Sequence, residues 1–170
     1  MENLKRTGFF ATLLTFALIL TSCSSTSNKS SGSDSDSMVD DAASAASLEL
    51  NGSSDESTAG PLKTVYFDFD STSLSSATKE ALNQNAMWLK TMESVDIQIE
   101  GHADERGGQQ YNLALGERRA KAVKSYLEAL GVKAARISVI SYGKEKPMAF
   151  GHDEDAWSKN RRANFVVTAK

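Results

Sequence analysis

Residues 95–131 read VDIQIEGHADERGGQQYNLALGERRAKAVKSYLEALG, and this stretch carries two periodicities from which a fold can be predicted. Three apolar residues, starting with Val95, alternate with polar ones, which predicts a half-buried strand ended by Gly101. After a polar loop, small and apolar residues recur every three or four positions, which predicts a helix with one buried face. Asn112 is the predicted cap of this helix, and Gly131 its predicted stop.

The sequence on either side of this stretch continues the same two patterns. An aromatic and β-branched run over residues 64–69 predicts a first strand, and Ser76 is the predicted cap of a first helix. Two further strands are predicted at residues 137–142 and 163–168, joined by a long loop over residues 143–160. The resulting β-α-β-α-β-β order favours an α+β fold, a two-layer α/β sandwich with helices on one face of a small mixed sheet.

The N-terminus has the features of an export signal. Two basic residues precede the apolar run FFATLLTFALIL at positions 9–20, which is shorter than the roughly 20 residues that a membrane-spanning helix needs. We therefore predict a signal peptide over residues 1–22. The four residues LTSC at positions 20–23 resemble a bacterial lipoprotein box, and this resemblance implies acylation of the Cys23 thiol. Ser24 after the cysteine implies the outer membrane.

A polar segment separates this signal from the predicted fold. Residues 24–60 contain 13 Ser, seven acidic residues, one Lys and no aromatic residue. Such a composition buries too little apolar surface to offset the entropy of folding, so we predict a disordered acidic tether over residues 23–60. The predicted domain then covers residues 61–170.

Charge and cysteine content exclude several classes of protein. The net charge of −3 arises in the tether, because residues 61–170 hold 16 basic and 14 acidic residues. Without a continuous basic face, a nucleic-acid partner is not expected. The single cysteine excludes an intramolecular disulfide and a multi-cysteine zinc site.

The densest polar cluster, GHADERG at positions 101–107, follows the predicted second strand. Ligands of α/β sheets favour the carboxyl ends of strands. Asp104 lies in this cluster, and Arg119 lies at the border of the apolar face of the next helix. Together they suit a zwitterion, because the carboxylate can bind an ammonium and the guanidinium can bind a carboxylate. The alternative is that the two side chains only pair with each other.

Signals for catalysis or for a metal are weak. The sequence lacks G-x-S-x-G, and the lone cysteine is the predicted lipid anchor. His102 with Asp104, and His152 with its acidic neighbours, are two isolated His–acid groups some fifty residues apart. Asp68-Phe69-Asp70 is typical of a turn after a strand. No catalytic residue, metal ligand or cofactor is therefore predicted.

Several blocks resemble a known family, and they cover nearly all of residues 64–167 in order. They are Val65-Tyr66-Phe67-Asp68-Phe69-Asp70, Glu100-Gly101-His102-Ala103-Asp104-Glu105-Arg106-Gly107, Tyr111-Asn112, Leu115-Gly116-Glu117-Arg118-Arg119-Ala120, Ser141-Tyr142-Gly143-Lys144-Glu145-Lys146-Pro147, Gly151-His152-Asp153-Glu154 and Ser158-Lys159-Asn160-Arg161-Arg162-Ala163. Behind a lipoprotein box and a tether, they resemble the peptidoglycan-associated lipoproteins, which carry an OmpA-like peptidoglycan-binding domain.

The resemblance implies a non-enzymatic outer-membrane lipoprotein whose domain faces the periplasm. It implies non-covalent binding of peptidoglycan through the meso-diaminopimelate of the stem peptide, whose free end carries an ammonium and a carboxylate. It also implies partnership with TolB and the other Tol proteins, which supports envelope integrity and cell division. By motif, the implied binding residues are Asp104, Arg119, Asp70, Phe69, Ala103 and Arg161.

Two other functions are kept as alternatives. One is a periplasmic peptidoglycan hydrolase that uses His102 and Asp104. The other is an envelope scaffold that binds only protein, with Asp104 and Arg119 as an internal salt bridge.

Overall fold

Residues 48–170 are described by a computed structural model, and they form seven regular elements and two short 3-10 turns, Ser54–Glu56 and Ala134–Arg136. The signal peptide, Cys23 and the first part of the predicted tether lie outside the described residues. The elements are β1 (Val65–Tyr66), α1 (Ser76–Thr91), β2 (Asp96–His102), α2 (Gln109–Ala129), β3 (Ile137–Gly143), α3 (Glu154–Asn160) and β4 (Arg162–Ala169).

The strands form one mixed sheet in the order β1-β4-β2-β3. β4 is antiparallel to both of its neighbours, whereas β2 and β3 are parallel. In the centre of the sheet, Ile99 lies opposite Phe165 on one side and Val139 on the other. The predicted mixed sheet and α+β class are confirmed.

The apolar core lies between one face of this sheet and the helices α1 and α2. Ile97 and Ile99 are fully buried, as their alternation with polar residues predicts. The helices contribute the following buried side chains: Leu82, Ala86 and Leu89 from α1, and Ala120, Val123 and Leu127 from α2. Within residues 48–170, no helix combines the length and the hydropathy needed to cross a bilayer.

Two helices begin at other residues than predicted, and a third helix was not predicted. Ser75 rather than Ser76 caps α1, and its side chain accepts a hydrogen bond from the Thr78 amide at 3.1 Å. α2 begins at Gln109, before Asn112, whose side chain donates instead to the Arg106 carbonyl at 2.8 Å. The predicted loop over residues 143–160 also ends in α3, because Asp153 caps a short helix there.

The N-terminal boundary of the fold also differs, since residues 48–60 lie against β4. The Asn51 amide donates to the Val167 carbonyl at 2.8 Å, and the Val167 amide donates to the Gly52 carbonyl at 3.0 Å. This segment therefore covers the edge of β4 that the two-residue β1 leaves open. The predicted tether does not extend to residue 60.

The polar side chains that suggested a tether are the ones that attach this segment. The Phe165 amide donates to the Ser54 hydroxyl at 2.9 Å. Arg162, which is buried, donates to the Asp55 carboxylate at 2.7 Å. Composition predicted disorder because it does not distinguish a solvated Ser or Asp from one that is hydrogen-bonded to a sheet.

Candidate functional site

Two glycines bring the end of β2 and the middle of α2 into contact. A Cβ added to Gly101 would lie 1.8 Å from the Gly116 carbonyl oxygen, so the helix backbone rests directly on the strand. Asp104 and Arg119 each follow one of these glycines by three residues. The glycine contact therefore brings the two sequence-predicted residues to the same edge of the sheet.

The Asp104 carboxylate is buried and accepts three hydrogen bonds. Its donors are the Arg106 amide at 3.1 Å, Arg106 Nη2 at 2.6 Å and Arg161 Nη1 at 3.4 Å. Burial alone would raise the pKa of Asp104, but the hydrogen bonds and charge of the two arginines outweigh it and lower the pKa below its ordinary value. The carboxylate is therefore ionised at neutral pH.

Arg119 is fully buried, and each of its three nitrogens donates to a backbone carbonyl. Nε donates to Ser71 O at 2.9 Å, Nη1 to His102 O at 2.8 Å and Nη2 to Asp68 O at 3.0 Å. Burial lowers the pKa of Arg119 to about 10, and the nearby Asp104 opposes this effect. The guanidinium therefore remains charged at neutral pH and keeps two N–H groups for another acceptor.

The two residues share a cavity but do not neutralise each other. Among the described residues, the ion-pair partners of Asp104 are Arg106 and Arg161, while Arg119 bonds to backbone carbonyls. The cavity measures about 190 Å³ and is lined by Phe69, Asp70, Asp104, Arg106, Gly107, Tyr111, Asn112, Leu115 and Arg119. The sequence left open an internal salt bridge between Asp104 and Arg119. In the structure, these two residues bond to other groups instead.

The turn after β1 forms another wall of this cavity. Asp70 has a φ of 51°, a left-handed conformation that aspartate tolerates better than most residues. Its carboxylate accepts a hydrogen bond from the Tyr111 hydroxyl. Phe69 is 60% exposed, and its ring centroid lies 4.0 Å from the Arg106 guanidinium carbon. Both residues that the resemblance implied for this loop therefore line the cavity.

The other two residues implied by the resemblance, Arg161 and Ala103, do not line this cavity. The Nη1 of Arg161 donates to Asp104 at 3.4 Å, and its Nε donates to the Phe67 carbonyl at 3.0 Å. Ala103 lines a neighbouring cavity with Phe150 and His152 rather than the one that Asp104 lines. Ala103 follows the β2 register change, and its amide pairs with the Gly143 carbonyl of β3 at 2.8 Å.

His102 and Asp104, which would have formed a catalytic or metal site, line separate cavities. The His102 ring is buried beside Tyr142, and its nearest carboxylate is Glu100 at 3.7 Å. Burial lowers the pKa of His102, an effect that the nearby Glu100 carboxylate opposes. Within residues 48–170, no three His, Cys, Asp or Glu side chains converge in a way that suits a metal ion.

Arg106 and Trp157 are site residues to which the sequence reasoning gave no role. The Arg106 guanidinium lies between the rings of Phe69 and Trp157, at 4.0 Å and 4.1 Å from their centroids. Arg106 belongs to the quoted GHADERG cluster, so the sequence offered a signal for it. Trp157 lies 53 positions after Asp104, and its approach depends on α3, which was not predicted.

A larger groove of about 540 Å³ runs between β1 and the start of α1. Its lining is mostly hydroxyl and apolar side chains, together with Arg161, Lys159 and Asp68. Arg161 is buried, but the carboxylate of this groove, Asp68, is exposed, so the groove lacks the pair of buried opposite charges found in the smaller cavity. The chemistry therefore favours the smaller cavity as the functional site.

Beside the site, His152 Nδ1 lies 2.8 Å from a Glu105 oxygen that also accepts from Trp157 Nε1 at 2.8 Å. The hydrogen bond to Glu105 raises the pKa of His152 above 6.5. The charged contact is therefore present below pH 6.5, the ordinary value, down to the pH at which the Glu105 carboxylate is protonated. It is lost as the pH rises through the higher folded-state pKa of His152.

In an NMR titration, we expect a His152 pKa above 6.5 that falls toward the ordinary value in Glu105→Gln; equal values in both proteins would refute the contact.

Comparison with known proteins matches this architecture to one family. The sequence model of the OmpA family matches residues 66–161, which is more than half of the chain and includes the whole cavity lining. The chain belongs to the OmpA family. Within that family, it is 44% identical over 168 residues to the peptidoglycan-associated lipoprotein of Pseudomonas aeruginosa, covering 97% of this chain and 99% of that protein.

Solved structures of OmpA-family and related proteins support the same fold. The crystal structure of the peptidoglycan-associated lipoprotein from Burkholderia pseudomallei has a TM-score of 0.61 at 49% identity and covers 64% of this chain and 93% of that one. The C-terminal domain of Helicobacter pylori MotB has a TM-score of 0.59 at 21% identity and covers 64% of this chain and 85% of that one. The MotB match is evidence for the fold alone.

Proposed function

We propose that this chain is a lipid-anchored, non-enzymatic peptidoglycan-binding protein. The observation that carries the proposal is the cavity in which a buried carboxylate, Asp104, and a buried guanidinium, Arg119, remain unpaired with each other. Opposite charges held apart in one small cavity suit a ligand with an ammonium and a carboxylate at matching separation. The names of the relatives point to peptidoglycan as the source of that ligand.

Within peptidoglycan, the group that fits is the free end of meso-diaminopimelate in the stem peptide. It is an amino-acid end, so its ammonium can bind Asp104 and its carboxylate can bind the two unused N–H groups of Arg119. The cavity volume of about 190 Å³ suits a single end group rather than a sugar chain. Phe69, Asp70 and Leu115 would enclose the aliphatic part of the ligand.

The proposal also places the chain in the cell envelope. Acylation of Cys23 would anchor it firmly, because each buried methylene of an acyl chain adds about 0.8 kcal/mol of membrane affinity. Outer-membrane anchoring and wall binding together would join the two layers. The resemblance to the peptidoglycan-associated lipoproteins supports TolB and the other Tol proteins as partners, and a role in envelope integrity and cell division.

The geometry gives less support to the two alternatives. A hydrolase using His102 and Asp104 needs both groups at one reacting centre, yet they line separate cavities. A protein-only scaffold would keep Asp104 and Arg119 as an internal pair, whereas each bonds to other groups. The binding function is therefore preferred to both.

The test is co-sedimentation of the full-length chain with purified sacculi. We expect the parent chain to pellet and Asp104→Ala to stay in the supernatant, because the variant loses the carboxylate that would hold the ligand ammonium. Asp155→Ala is the matched control, since it removes an exposed carboxylate from α3. Thermal melts of all three proteins separate lost binding from lost folding.

The outcome that would contradict the proposal is equal sedimentation of the parent and a folded Asp104→Ala variant. Release of muropeptide fragments during the incubation would instead favour the hydrolase.

A further inference from the structure

Arg106 and Arg119 line the candidate cavity, Arg161 contacts its Asp104, and the three differ in the number of hydrogen bonds that hold them. Arg119 uses all three nitrogens on backbone carbonyls, and Arg161 uses all three on Phe67, Asp104 and Glu154. Arg106 donates through Nη2 alone, while its Nε is buried without a partner among the described residues. Arg106 is therefore the cation that can move.

Arg106 lies between two carboxylates. Its Nη2 is 2.6 Å from Asp104 Oδ2 and 3.9 Å from Glu154 Oε2. The Asp104 side chain is 5% exposed, whereas that of Glu154 is 63% exposed. A short displacement of the guanidinium would exchange a buried partner for a solvated one.

The two aromatic rings would guide this movement. Phe69 and Trp157 hold the guanidinium at 4.0 Å and 4.1 Å from their centroids. Stacking of a flat cation on an aromatic ring depends little on its rotation in the ring plane, so the cation can turn between its carboxylates while it stays stacked. Trp157 Nε1 donates a hydrogen bond to the Glu105 carboxylate, which fixes the position of the ring.

We propose that the Arg106 guanidinium pairs with Asp104 in the free protein and so competes with the ligand ammonium for this carboxylate. Ligand binding then moves the guanidinium from Asp104 to Glu154. This inference rests on the proposed function, because it takes the ligand ammonium to bind Asp104. Binding then exchanges one cation for another at the carboxylate. The pairing with Arg106 therefore reduces the net affinity that the ammonium contact supplies, and a ligand gains further affinity by also engaging Arg119.

The test compares the full-length parent with Arg106→Met by calorimetry, using the tripeptide L-alanyl-D-glutamyl-meso-diaminopimelate. Methionine keeps an unbranched side chain between the two rings but removes the competing charge. We expect the variant to bind roughly three- to tenfold more tightly, because a partly exposed ion pair no longer has to be broken first. Lys121→Met is the control, since it removes a positive charge from the exposed side of α2 and should leave affinity unchanged.

Glu154→Gln tests the second half of the exchange. It should weaken binding in the parent, because the displaced guanidinium loses its new partner, and should weaken it less in the Arg106→Met background. An equal effect in both backgrounds would show that Glu154 acts through Arg161 instead and would refute the transfer.

The outcomes distinguish this inference from the proposed function. If the parent binds the tripeptide and Arg106→Met binds equally or more weakly, Arg106 is not a competitor, and the proposed function stands. If neither protein binds the tripeptide, the proposed function fails and this inference fails with it.

Discussion

Arg119→Ala is expected to lower the free energy of unfolding by about 3–5 kcal/mol and to abolish binding to sacculi. The side chain is fully buried and donates to the carbonyls of Asp68, Ser71 and His102. Its removal leaves these three carbonyls without their donor, and it also deletes the predicted partner of the ligand carboxylate. The measurement is urea unfolding followed by circular dichroism, together with sacculus co-sedimentation.

Arg118→Ala provides a control on the neighbouring position of α2, because Arg118 is exposed and its guanidinium carbon lies 5.9 Å from the Tyr111 ring centroid. It should change the free energy of unfolding by less than about 0.5 kcal/mol and leave binding intact. If Arg119→Ala were as stable as Arg118→Ala, the structural role assigned to Arg119 would be wrong. A guanidinium can hold several acceptors at fixed angles, which a lysine ammonium cannot. An Arg119→Lys variant that is as stable as the parent and binds sacculi equally well would therefore contradict this role.

Gly101→Ala is expected to lower the free energy of unfolding by about 3 kcal/mol, although alanine is usually neutral or better than glycine in a strand. The added methyl would lie 1.8 Å from the Gly116 carbonyl oxygen, so strand and helix would have to separate. Because Asp104 and Arg119 each lie three residues beyond this contact, separation would also disturb the cavity. Binding to sacculi should fall together with stability.

The control for this substitution is Gly108→Ala. A Cβ at Gly108 would meet no atom of residues 48–170 within 4 Å, and this residue has an ordinary negative φ of −75°. Chemical denaturation of both variants is the measurement. Similar free energies of unfolding for the two variants would show that the close approach of β2 and α2 does not exclude a methyl group at position 101.

The centre of this fold could be predicted because its elements carry strong periodic signals. The alternation from Val95 to Ile99 is confirmed as buried. The predicted helical face ran to Leu130, and its members Gly116, Ala120, Val123 and Leu127 are buried, whereas Leu130 is half-buried. The same helical pattern also included Leu113, which is 47% exposed. Leu113 lies between the buried residues Asn112 and Leu115, and its carbonyl accepts a hydrogen bond from the Ser141 hydroxyl of β3 at 2.7 Å. Its backbone therefore packs against the sheet while its side chain stays exposed, which periodicity alone does not predict.

Features that depend on the particular partner of a polar side chain could not be predicted. Asn112 is a residue type that often caps helices, but it lies inside α2, and its side chain donates to the carbonyl of Arg106 in the preceding loop. Residues 48–60 have the composition of a tether, yet Ser54 and Asp55 bond to β4 more than 100 positions away. In both cases, a polar side chain finds a specific tertiary partner, which local propensity does not encode.

The candidate site was predicted in part for the same reason. Asp104 and Arg119 could be singled out because strand ends and helix faces can be inferred from periodicity. Their separate hydrogen-bond partners could not, since these depend on the turn at Asp68 and on the position of Arg161 before β4. The role of Arg106 depends on the approach of Trp157, which only the folded chain provides.

The most direct test of the central claim is calorimetric titration of the full-length chain with two tripeptides that differ at one position. One carries meso-diaminopimelate, and the other carries L-lysine, which has the same ammonium but lacks the carboxylate beside it. We expect the lysine peptide to bind at least roughly 30-fold more weakly, because a carboxylate–guanidinium contact in a buried site contributes about 2 kcal/mol or more. Equal affinities for the two peptides would contradict recognition of a zwitterion by Asp104 and Arg119.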